Sequence, residues 1–131
     1  MTVLKTSNPP TMPPPGGYYS QVVEVPPNAR WVVLAGQIGV RPDGTTPEGF
    51  EAQHDQIWKN TIAALESVGM GVDDIVHLNV YSTDPEGRPH VAAQRKHYLG
   101  DHIPGSTYLL VAGLAQPEWR VEMDVSAAKV D

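Results

Sequence analysis

The stretch WRVEMDV, Trp119 to Val125, sets charged residues at alternate positions near the end of the chain. Read as a strand, it sends Trp119, Val121, Met123 and Val125 to one face and Arg120, Glu122 and Asp124 to the other. Arg120 and Glu122 then have Cα atoms about 6–7 Å apart, close enough to pair. A carboxylate in such a row, if enclosed, can orient and partly deprotonate a water. Other chemistry is thinner. His54, His77, His90, His97 and His102 show no ligand spacing, and the H-x4-H of His97 and His102 is not the i, i+4 pair of a helical zinc site, so no metal is expected. The glycines of GQIG, Gly36 and Gly39, lack the remaining spacing and the following helix of a dinucleotide loop; they read as tight strand packing. No Ser-His-acid order supports Ser106 as a nucleophile. The chain has no cysteine, which removes thiolate nucleophiles, disulfides and Cys-ligated zinc.

These residues need a scaffold, and 131 residues suffice for one domain with its own core. SNPPTMPPPGGYYS holds five of the 13 prolines, so residues 1–17 are expected to run as an extended arm or a poorly ordered leader, with the domain proper at 18–131. YYSQVVEV and RWVVLAGQIGV read as strands joined through PPNA as a hairpin, and RPDG as the turn that follows. From Thr46 the period becomes helical: Phe50, Ile57, Trp58, Ile62, Leu65 and Val68 share a face, with Thr46 as cap, Pro47 at the first position and Gly69 as stop. DDIVHLNVYSTD alternates Val76, Leu78 and Val80 against His77, Asn79 and Tyr81. RPHVAAQRKHYLGDH reads as a second helix anchored by Val91, Tyr98 and Leu99, and STYLLVAGLA and WRVEMDVSAAKV as two last strands. The order is β-β-α-β-α-β-β: an α+β fold with both helices on one face of the sheet.

That leaves the other sheet face without a layer. STYLLVAGLA is apolar on both faces, and an exposed apolar strip marks an interface, so a homo-oligomer with sheets meeting face to face is expected. Arg120, Glu122 and Asp124 would border that contact. The formal net charge of −6 disfavours nucleic acid as a partner. No apolar run approaches the ~18 residues of a membrane span and no signal-like segment opens the chain, so a cytoplasmic protein without membrane attachment is expected.

GYYSQVV, AGQIGVRPDG, the Q-x6-N of Gln53 and Asn60, VGMGVDDIVHLNVYSTD, IPGST and VEMDVSA, in this order, resemble the YjgF/Rid family of reactive-intermediate deaminases from Tyr18 to about Lys129. The resemblance implies a chorismate-mutase-like fold, a homotrimer with a central barrel and clefts between subunits. It also implies hydrolysis of enamines and imines to ammonia and a keto acid without metal or cofactor. Family members have also been described as ribonucleases, a reading the acidic balance here does not favour.

Carried over, Tyr19 matches the family's cleft tyrosine, and Ala35 and Gly36 match the backbone that approaches the substrate, with alanine where serine is more usual. Glu122 matches the glutamate that places the water. The departure is in IPGST, where Ser106 stands in place of the arginine that clamps the substrate carboxylate; Ala92 replaces a second-helix asparagine. Loss of a charge-assisted pair removes roughly 1.5–3 kcal/mol of binding. Ser106 is then either a strand-opening residue or a hydroxyl for a smaller or neutral ligand. Arg120 is the nearest substitute by pattern, set against the alternative of an ion pair with Glu122; Arg30, Arg41, Arg88 and Arg95 fall in turns or helices and are less favoured. The expected function is hydrolytic deamination of an imine or enamine other than the standard 2-imino acid. The alternative is a trimer that binds a small metabolite without turnover.

Overall fold

The computed structural model describes residues 2–131. The strands are β1 (Lys5–Ser7), β2 (Val22–Glu24), β3 (Arg30–Ile38), β4 (Ile75–Ser82), β5 (Gly105–Leu110) and β6 (Val121–Lys129). The helices are α1 (Phe50–Glu66) and α2 (Arg88–Leu99). From β2 onward the order is the expected one, preceded by one extra strand. The main sheet runs β3-β6-β4-β5, with β6 antiparallel to both β3 and β4, and β5 parallel to β4. β3 and β4 therefore point the same way, and the last strand is inserted between them.

The period-two pattern of β6 explains why it fits there. Val121, Met123, Val125 and Ala127 are buried against Ile57, Trp58 and Leu65 of α1 and Val91 and Leu99 of α2, with Leu78 and Val80 of β4 completing the core. Trp58 stacks on Tyr98 at 5.0 Å, joining the helices. Gly69, at φ 75°, takes the left-handed conformation that ends α1. The other sheet face is covered at one end by the β1–β2 pair, where Leu4 and Val23 pack with Val76 and Ala128, and has no layer over the rest of it in this chain. Trp31 (53% exposed), Val33 (77%) and Leu109 (47%) lie there beside Asn79, Tyr81, Glu122 and Asp124.

Four local readings are corrected. The PPNA hairpin does not form: β2 pairs with β1, and β3 with β6. The leader is tied down, since Leu4 is buried against Val76 and Ala128. Thr46 does not cap α1, which begins at Phe50 behind Gly49. The alternation of β4 breaks at a bulge between Ile75 and His77, which turns Val76 toward Leu4 rather than the main core.

Candidate functional site

The inserted strand sets Glu122 opposite Ile38 of β3 on one side and Tyr81 of β4 on the other. Between Leu34 and Gln37 the β3–β6 register shifts, so Ala35 and Gly36 form a bulge with backbone outside the regular ladder. The Glu122 carboxylate lies over this bulge: a Cβ placed on Gly36 would stand 2.1 Å from Oε2. Any side chain here would push the carboxylate out of that place. Beside it, Asp124 accepts hydrogen bonds from Asn79 Nδ2 (2.8 Å) and Tyr81 Oη (2.9 Å), and this bond to Asp124 is the main reason the Tyr81 hydroxyl is raised above its ordinary pKa. Gly36, Tyr81, Glu122 and Asp124 line a recess of about 300 Å³ on the uncovered face, closed by Val111, Gly113 and Leu114.

The Q-x6-N pair holds both strands of this arrangement from α1. Gln53 is buried; its Nε2 donates to the carbonyls of Pro47 (3.0 Å) and Glu118 (2.9 Å), and its Oε1 accepts from the Arg120 backbone N–H (2.8 Å). Asn60 Nδ2 donates to the carbonyls of Ile38 (3.3 Å) and Val40 (2.8 Å). The strand that carries Gly36 is thus pinned where it ends, and the strand that carries Glu122 where it begins.

Tyr19 and Ser106 lie elsewhere, in a cavity of about 670 Å³ between α2, the edge strand β5 and residues 17–19. Ala92 lines the same cavity, so the positions matched to the second-helix asparagine and the clamp arginine are neighbours in space. The Tyr19 hydroxyl accepts from the Gly16 N–H at 3.3 Å. The 18–20 segment is fastened across to the α2–β5 loop: Tyr18 donates to the Gly100 carbonyl, and Ser20 to that of Ile103, while the Ser20 N–H donates to Pro104 O at 2.9 Å. Within one chain, Glu122 with Gly36 and Tyr19 with Ser106 therefore occupy two separate hollows.

Arg120 joins neither group. It precedes β6, is exposed, and lines a third hollow with Trp119, Thr83 and Ala112. The ion pairs among the described residues are Arg30–Asp131 and His90–Asp55, so the expected Arg120–Glu122 pair is not formed. Its backbone serves instead, donating to Gln53 and accepting from Thr83. Two of the arginines set aside, Arg88 and Arg95, line the large cavity. Arg95 is 6% exposed and walls the large cavity. Its place was readable: Val91, Arg95 and Leu99 recur at i, i+4 and i+8, one buried face of α2.

Comparison with known proteins agrees with this architecture. A YyfB protein of the Rid family from Yersinia pestis, of unknown function, superposes with a TM-score of 0.85 at 27% identity, covering 95% of this chain and 97% of that one. A RutC family protein of Aquifex aeolicus (strain VF5) is 43% identical over 85 residues, 64% of this chain and just under two thirds (63%) of that relative. A 2-iminobutanoate/2-iminopropanoate deaminase of Dermatophagoides farinae is 29% identical over 117 residues, 88% of each. The family model described as Endoribonuclease L-PSP matches residues 10–129, from the proline-rich leader through the strand that holds Glu122, and on that span the chain belongs to the YjgF/Rid family.

Proposed function

We propose that this protein is a hydrolytic deaminase of a reactive imine or enamine, releasing ammonia without metal or cofactor, and that it works as a homotrimer. One observation carries the reading: a half-buried carboxylate, Glu122, stands directly over the bulge at Gly36, where the absence of a side chain leaves it room. Such a group can aim a water at an iminium carbon and stabilise the cation electrostatically. Tyr19 is the group that hydrogen-bonds the substrate or relays the proton to the departing nitrogen. Because the two groups lie in separate hollows of one chain, a second copy must bring its Glu122 to the Tyr19 side. The apolar residues of the uncovered face, Trp31, Val33 and Leu109, supply the contact area. The likeness to the Dermatophagoides farinae deaminase supports the reaction class. Since residue 106 is a serine, the substrate is one whose recognition does not depend on a guanidinium at that position.

The test is an assay in which an amino-acid oxidase generates a panel of imines and ammonia or keto-product release is followed. The protein should accelerate release for at least one imine, and Glu122→Gln should lower kcat/KM by about a hundredfold or more. No acceleration for any imine, with saturable ligand binding retained, would favour the non-catalytic binder instead.

A further inference from the structure

On the uncovered face beside Glu122, one hydroxyl has its hydrogen already committed. Tyr81 stands directly across from Glu122 in the β4–β6 register, and both residues line the recess of about 300 Å³ beside Gly36. A phenol carries one hydrogen and can also accept. The Tyr81 hydroxyl donates to Asp124 Oδ2 at 2.9 Å, while Asn79 Nδ2 donates to Oδ1 at 2.8 Å, so each Asp124 oxygen already has a donor. That bond first, then burial and the charges of Asp124 and Glu122, hold the Tyr81 hydroxyl above its ordinary pKa, and it stays protonated at neutral pH. What is left for Tyr81 to offer is its oxygen as an acceptor, and donating to a carboxylate strengthens it in that role. Glu122 is held in no ion pair among the described residues. Val111 and Leu114, across the recess, are apolar.

These features bear on how a water is aimed. A water has two hydrogens, and a carboxylate that takes one leaves the molecule free to turn about that bond. A second acceptor, fixed relative to the first, stops the turning and sets the direction of the oxygen lone pair. We infer that Tyr81 is a further catalytic residue: its oxygen, left only an acceptor's role by Asp124, takes the second hydrogen of the water held by Glu122. Asp124, itself held by Asn79, is a positioning residue that acts through Tyr81. The inference rests on the proposed deaminase for the fate of that water, and adds the group that aims it. In the step, the water oxygen bonds to the iminium carbon, the C=N π pair moves to nitrogen, and one water proton passes to Glu122. Tyr81 keeps its own proton throughout.

The experiment joins imine turnover to crystal structures of the parent and of Tyr81→Phe, which keeps the ring and removes only the oxygen. The parent should show a water within hydrogen-bond distance of both Glu122 and the Tyr81 oxygen, and the variant should lose it. Tyr81→Phe should lower kcat about tenfold, as one lost hydrogen bond would, with KM within about twofold and the melting temperature unchanged. Asp124→Ala should lower kcat about threefold in the parent, and by much less when Tyr81 is already phenylalanine, because it acts through that hydroxyl. An equal loss in both backgrounds, or a parent structure without the shared water, would overturn the inference. Hydrolysis by the parent with kcat unchanged in Tyr81→Phe would overturn it too and leave the deaminase standing. A shared water lost in Tyr81→Phe, but no hydrolysis of any imine, would instead remove the deaminase and leave the pair as a water site.

Discussion

His54 shows how far a single side chain can depart from its sequence context. It sits between Phe50 and Trp58 on α1, close to His90, with neither ring nitrogen hydrogen-bonded. Burial, helped by the nearby His90 and Arg95, pushes it down to about 3. In the unfolded chain a histidine titrates near 6.5, so between about 6.5 and 3 the unfolded state binds the extra proton and stability falls as the pH falls. The slope approaches about 1.4 kcal/mol per pH unit, which amounts to about 2 kcal/mol at pH 5. Urea unfolding at pH 7 and pH 5 should show that loss, and His54→Leu should largely remove the difference between the two pH values. A difference as large in the variant as in the parent would place the acid sensitivity elsewhere. Neither His54 nor Arg95 looked unusual as a residue type. Their partners come from other turns and elements, so a polar side chain on a buried helical face was visible only as a spacing. Glu122, Tyr19 and Gly36 were legible because local motifs carried them, whereas their division between two hollows depends on the sheet order.

At the scale of elements, two glycines of β3 and its following turn pack against different things and should fail differently. A Cβ on Gly39 would stand 2.6 Å from the Gln53 Cα and backbone oxygen. Backbone cannot swing aside, so Gly39→Ala should destabilise by about 1–3 kcal/mol in urea unfolding. A Cβ on Gly36 instead meets the far end of the Glu122 side chain, which can rotate away. Gly36→Ala should therefore change stability by only about 0.5 kcal/mol, yet lower imine turnover at least tenfold by displacing the carboxylate. Equal loss of stability in both variants would contradict this division. The helices were legible from period alone, because Phe50, Ile57, Trp58 and Leu65 repeat over several turns. The β2 pairing was not. Its true partner, Lys5-Thr6-Ser7, has no apolar alternation and runs straight into a proline-rich stretch, whereas RWVVLAGQI follows a turn directly.

For the whole molecule, the uncovered sheet face is the property with the widest reach. It was legible in STYLLVAGLA, where alternation gave apolar residues on both sides and the helices can cover only one. Light scattering should give three times the mass of one chain. Val33→Lys, which sets a charge at a 77% exposed apolar position, should shift that mass toward a single chain. Imine hydrolysis should disappear with it, since Tyr19 and Glu122 are then no longer brought together. A dispersed variant that keeps full turnover would show that one chain suffices. The two amide side chains of α1 bear on what can change around such a site. Because Gln53 and Asn60 reach from one rigid helix to both strands, the spacing between Gly36 and the acid beside it is gauged by the helix and not by the surface loops. Loops 41–46 and 111–117 are then free to be exchanged for others, which makes them the natural place to graft new selectivity while the reactive geometry stays in alignment.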